Sequence, residues 1–114
     1  MNLNNKLTAY AIDFVSFLIQ KTKYRNEIKN IILFGSVSRE EADQNSDIDL
    51  FIDLAKEDKN VIAEIEKIKK QFFESTKFKD YWRLLNIKNY ISIKAGKLTN
   101  WSELKGSILS NGLV

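Results

Sequence analysis

Two polar pairs near the middle of the chain carry the residue types from which phosphate and metal chemistry is built. They bracket the stretch GSVSREEADQNSDIDLFID, Gly35 to Asp53. Gly35-Ser36 follows the apolar run Ile31-Ile32-Leu33-Phe34, and Asp47-x-Asp49 leads into Leu50-Phe51-Ile52. A glycine at a strand end has no Cβ, so phosphate oxygens can approach its backbone closely. Ser36 adds a hydroxyl donor, and the segment after it is expected to begin a short helix whose N-terminal amides attract anions. Asp47 and Asp49 are alternate residues of an expected strand and share a face, roughly 6.6 Å apart at about 3.3 Å rise per residue. Such a pair can bridge two divalent ions about 3.5–4 Å apart, the arrangement used for in-line phosphoryl displacement. Mg²⁺ is the natural ion, because it takes hard oxygen ligands and keeps waters that substrate phosphates replace, and Mn²⁺ is its expected substitute. The ten residues between Ser36 and Asp47 suffice for that helix and a return turn. Phosphate cradle and carboxylates would then face one another across neighbouring strands.

The elements that must hold this arrangement are legible from hydrophobic spacing. Leu3, Leu7, Tyr10, Phe14 and Phe17 recur at helical intervals, so residues from about 3 to 24 read as an amphipathic helix on a sheet. Ile31 to Phe34 reads as a short buried strand ended by glycine. Asp47 to Leu54 alternates, with Asp47, Asp49, Phe51 and Asp53 on one face and Ile48, Leu50, Ile52 and Leu54 on the other. Val61, Ile65, Ile68 and Phe72 define a second helix, with Glu66 and Lys70 expected to pair on its exposed side. Phe78 to Leu85 is aromatic-rich and expected to be helical. Tyr90 to Lys94 alternates as a third strand ended by Gly96, and Trp101, Leu104, Ile108 and Leu109 mark a final helix. Gly112-Leu113-Val114 resembles the start of a further strand. The fold class that follows is α/β (α+β): a small mixed sheet flanked by helices.

At 114 residues the chain is read as one domain, 1–114. A hydrophobic fraction of 44% and a charged fraction of 29% are those of a globular protein. With no cysteine and no histidine, disulfides, thiolate nucleophiles, Ser-His-Asp triads and histidine metal sites are excluded. Any chemistry falls to carboxylates, hydroxyls, Lys and Arg. The polar start, Met1 to Lys6, has no apolar signal core and no run approaches membrane-spanning length, so a cytoplasmic protein without membrane contact is expected. The net charge of +3 is uneven, −2 over residues 1–54 and +5 over 55–114. A basic half beside an acidic centre suits a polyanionic ligand, and nucleic acid stays open as a partner.

Gly35-Ser36, ten residues, then Asp47-x-Asp49 in the context Ser46-Asp47-Ile48-Asp49-Leu50 resembles the signature of the polymerase β-like nucleotidyltransferases, in particular their minimal archaeal and bacterial members. The resemblance is carried by residues 31–54, with a looser similarity through YWRLLNIKNYISIKAGKL. It implies a nucleoside triphosphate, with ATP expected, a divalent metal ion, and transfer of a nucleoside monophosphate to a hydroxyl of a protein, RNA or small molecule. By the same resemblance Gly35 and Ser36 hold triphosphate oxygens, Arg39 matches an arginine of the family's loop, and Asp47 and Asp49 are the catalytic metal ligands. Two loop positions depart from the pattern: Val37 stands where an arginine is frequent, and Glu40 where glycine is usual.

The third carboxylate usual on the next strand is also missing. Tyr90-Ile91-Ser92-Ile93-Lys94 contains no acid, and Tyr90 or Ser92 occupies the position. Asp53 shares Asp49's face but lies roughly 13 Å along the strand. Two readings of the site stand: a transferase, or a catalytically impaired nucleotide-binding module that acts as an antitoxin-like partner. A basic nucleic-acid-binding protein without nucleotide chemistry is the third reading of the chain. No extra acceptor-selecting domain fits in 114 residues, so a homo-oligomer or a separate partner protein is expected to supply the acceptor. Phe72, Phe73, Phe78, Tyr81, Trp82 and Trp101 could stack on a base, but aromatics at helical spacing are mostly core. Lys94 and Lys97 read as a solvated edge more readily than as phosphate contacts.

Overall fold

The computed structural model describes residues 3–97, so the expected final helix and the expected strand start at Gly112 lie outside the described residues. Two helices and three strands follow in the order α1 (Leu3–Lys21), β1 (Ile28–Phe34), β2 (Ile48–Leu54), α2 (Lys59–Phe73), β3 (Ile91–Gly96). The sheet runs β1-β2-β3, antiparallel between β1 and β2 and parallel between β2 and β3. It is the small mixed sheet expected, with β2 at its centre. No helix among the described residues is long and apolar enough to cross a membrane.

Alternation along β2 divides the sheet into two faces. Ile48, Leu50, Ile52 and Leu54 join Leu33 and Ile91 in one core with Leu7, Tyr10, Phe14 and Leu18 of α1 and Val61, Ile65, Ile68 and Phe72 of α2. The helical spacing of those apolar residues is what lets each helix lay one stripe on the sheet. The opposite face carries Ile32, Phe34, Asp49, Phe51, Asp53, Ser92 and Lys94, because paired residues on neighbouring strands point the same way. Every residue of β2 is buried except Asp49, which is half-buried. A carboxylate at that depth in a central strand is costly unless something compensates it.

The aromatic residues are core rather than a base platform. Tyr10 packs on Trp82 at 5.2 Å between ring centroids, and Phe14 meets Phe72 edge-on at 5.3 Å. Of the described candidates Tyr81 alone is largely exposed.

Three local expectations shift. α1 stops at Lys21 because Thr22 turns its hydroxyl onto the Tyr24 N–H at 3.0 Å and reaches Glu64 of α2 at 3.4 Å, diverting the chain from the helix axis. Glu66 pairs with Lys69 at 3.1 Å instead of Lys70, since Lys69 is drawn inward. The aromatic segment forms a π-helical turn at Phe78–Trp82 and then a turn ending at Asn86, whose φ of 60° is a conformation asparagine tolerates. α2 begins where Asp58 accepts the Asn60 N–H at 2.8 Å, a side-chain cap on an otherwise unpaired donor.

Candidate active site

The site assembles at the end of the sheet where β1 finishes and β2 begins. Antiparallel pairing sets Phe34 opposite Asp49, so the next residue, Gly35, lies beside the Asp49 carboxylate. Gly35 has φ of +76°, and a Cβ built on it would run into Asp49 Oδ2, with Cγ only 3.1 Å away. From its sequence context, the space left by that missing Cβ is expected to admit phosphate oxygens. In the structure the Asp49 carboxylate fills it, which locks the two halves of the motif together.

Gly35→Ala therefore meets two penalties, a left-handed backbone and a collision with a side chain fixed on a central strand. It is expected to destabilise the fold by about 2–3 kcal/mol. Thermal unfolding followed by circular dichroism measures this, and a change below about 0.5 kcal/mol, the range of neutral surface substitutions, would remove the close-approach argument.

From Gly35 the chain winds one helical turn instead of the short helix expected. Arg39 N–H donates to Gly35 O at 3.2 Å, Glu40 N–H to Val37 O at 3.1 Å and Glu41 N–H to Ser36 O at 2.9 Å. Val37 is buried in the core, which explains its apolar identity where the family pattern often has arginine. Glu40 adopts φ of 59°, a conformation that suits the glycine usual there. The loop is then tied at both ends. Asn4 of α1 donates to Glu40 O at 3.2 Å and accepts the Ala42 N–H at 3.1 Å. Buried Asn89 donates to Ser46 O at 2.6 Å and Asp43 O at 3.2 Å, while its own carbonyl accepts from the buried Tyr10 hydroxyl at 3.2 Å. These ties hold Asp47, exposed one residue ahead of β2, at the mouth of the site. The Ser36 hydroxyl, next along the chain from Gly35, is half-buried and without a hydrogen bond among the described residues.

Electrostatics show which charges converge. Burial raises the Asp49 pKa above the ordinary carboxylate value, and the neighbouring charge of Asp47 raises it further. Lys94 and Arg39 oppose that rise. Arg39 also pairs with Glu41 at 3.2 Å on the surface. Lys94, read from sequence as a solvated edge, is on the site's face. The alternation of residues 90–94 placed Ser92 and Lys94 together, but only the register with β2 aims them at Asp49.

Ser92 is the residue of β3 in register with Asp49. Tyr90, the other candidate for the position of the third acid, is corrected: it precedes β3, and its hydroxyl accepts from Lys69 Nζ at 2.8 Å. Burial disfavours the charged form of Lys69, but hydrogen bonds to Tyr90 and Glu66 outweigh it and leave its pKa raised. Asp53 lies farther along β2 and accepts from Asn30 at 3.2 Å, and Asp80 sits in the π-helical turn. Glu103 is outside the described residues. Among the described residues no group of three or more acids is gathered as metal ligands.

A family model described as Nucleotidyltransferase domain matches residues 12–112. No curated protein matches the chain. The match takes in both strands of the motif, the tied loop between them and β3, and the mixed sheet is consistent with such a domain. The chain belongs to the nucleotidyltransferase domain family.

Proposed function

We propose that the protein binds a nucleoside triphosphate, with ATP the first candidate, together with Mg²⁺ or Mn²⁺, and transfers the nucleoside monophosphate to a hydroxyl acceptor. The observation that supports this is the seating of Asp49 against Gly35, the residue before Ser36, at one end of the sheet. The donor set fits a hard divalent cation: Asp47 and Asp49 offer only oxygen, and a cation relieves the burial and repulsion that bear on Asp49. Such an ion, when bound, neutralises phosphate charge and acidifies an attacking hydroxyl.

The chain's own residues have separable tasks. Asp47 and Asp49 hold the ion, Ser36 donates to a phosphate oxygen, and Arg39 offsets triphosphate charge. In the transfer, the acceptor oxygen forms a bond to the α-phosphorus as the bond to pyrophosphate breaks. The acceptor proton leaves to solvent, since Ser92 stands where an acid would take it. That serine also favours a second reading, a nucleotide-holding module whose transfer is slow and whose acceptor comes from a partner protein or a second copy.

Thermal unfolding in ATP with Mg²⁺, set against ATP with chelator, tests the binding. At about 100 times its Kd a ligand stabilises by roughly 2.7 kcal/mol, and that shift is expected only with the metal. An equal shift in chelator would overturn the reading.

A further inference from the structure

β3 brings a cation to the face that carries Asp49. Lys94 pairs in register with Phe51 while Ser92 pairs with Asp49. By strand spacing this sets the Lys94 Cα roughly 8 Å from that of Asp49 on the same face, within the span of the two side chains. Lys94 is exposed and makes no hydrogen bond or ion pair among the described residues. Arg39 is already paired with Glu41, so on the face of Asp49 Lys94 stands as an unpaired cation among the described residues. A second divalent ion would find no carboxylate on β3 and would stand beside the Lys94 charge.

We infer that Lys94 takes the place of a second divalent ion, its ammonium contacting the triphosphate directly, so that the site works with one metal ion. The inference rests on the nucleotide reading above. A lysine ammonium is a compact point charge with three donors, suited to phosphate oxygens that need no planar recognition. It can balance the charge of a bound triphosphate but cannot coordinate a hydroxyl and acidify it as a metal does. This fits the absence of an acid from β3, where Ser92 and Lys94 occupy the face. The charge of Lys94 already acts on Asp49, countering part of what burial and Asp47 do to it.

The test uses Mn²⁺ and a non-hydrolysable ATP analogue with the full chain. Bound Mn²⁺ is counted by electron paramagnetic resonance and analogue affinity is measured by calorimetry. Wild type is expected to hold one ion per bound analogue. Lys94→Ala should weaken analogue binding by about tenfold or more, the usual cost of losing a contact to a charged group. Lys94→Arg, which keeps the charge, should retain most of the affinity. Lys94→Arg should leave the unfolding temperature without ligand unchanged, because Lys94 is exposed and its charge is kept. Two ions per analogue in wild type, undiminished binding by Lys94→Ala, or an arginine variant as weak as the alanine one would each overturn the role of Lys94. Wild type that binds no analogue in Mn²⁺ would instead remove the nucleotide reading, and this inference with it.

Discussion

Ser92→Asp is expected to raise pyrophosphate release with a generic hydroxyl acceptor by about 10²-fold over a slow wild type, since positioned proton transfer is worth roughly 10²–10⁴-fold. Position 92 is in register with Asp49 on the neighbouring parallel strand and is half-buried on the same face. A carboxylate there would sit beside the ion-binding pair and within reach of the proton that an acceptor must lose. The substitution carries a cost, because a third acid beside Asp49 adds repulsion, only partly offset by Lys94. The variant should therefore unfold at a lower temperature in chelator and gain more from Mg²⁺ than wild type does. Tyr90→Glu is the control. Its side chain would lie ahead of β3, where the tyrosine now meets Lys69, and transfer should not improve. Fast turnover by wild type alone, or no gain from Ser92→Asp when the nucleotide still binds, would show that the missing acid is not what limits the site.

Asp49→Asn should abolish metal-dependent nucleotide stabilisation and transfer, yet make the metal-free protein more stable. The two effects have one cause. Burial and Asp47 both disfavour the ionised Asp49, so the folded state holds its proton more tightly than the unfolded chain does. The sign follows from linkage: with a folded pKa above the unfolded one, stability falls as pH rises through the folded pKa, and the ionised form prevailing above it is the less stable one. In chelator, wild type should lose stability across that acidic window, and Asp49→Asn should lack that loss. With Mg²⁺ and ATP the order reverses, because the amide cannot replace the carboxylate as an ion ligand and the stabilisation of about 2.7 kcal/mol at 100 Kd disappears. Melting curves at several pH values, with and without Mg²⁺–ATP, measure both halves. An asparagine variant that kept the metal-dependent shift would remove Asp49 as an ion ligand.

Much of this molecule is written in short-range pattern. The stripes Leu7-Tyr10-Phe14 and Val61-Ile65-Ile68-Phe72, and the alternation from Ile48 to Leu54, depend on periodicities of about 3.6 and 2 residues that any chain must obey to bury one face. Those elements therefore stand where their spacing puts them. Ends were less legible. α1 stops early because Thr22 bonds a backbone N–H and Glu64, a choice that depends on α2 being alongside.

The motif itself was legible because its chemistry and spacing are local, two pairs ten residues apart on strand rims. What no local pattern contained was the alignment of β3. Whether Ser92 or Tyr90 stands beside Asp49, and whether Lys94 faces solvent or the site, turns on a strand register set by the core packing of Ile91 and by Tyr90 O accepting the Ile48 N–H at 2.8 Å. The task of Gly35 was hidden for the same reason. Its missing Cβ is needed by Asp49, a residue fourteen positions away brought close only by antiparallel pairing. Residue types and their spacing thus name the chemistry available to this chain. Long-range strand pairing decides which groups meet, because side-chain direction repeats every two residues and a slip of one turns each group to the other face.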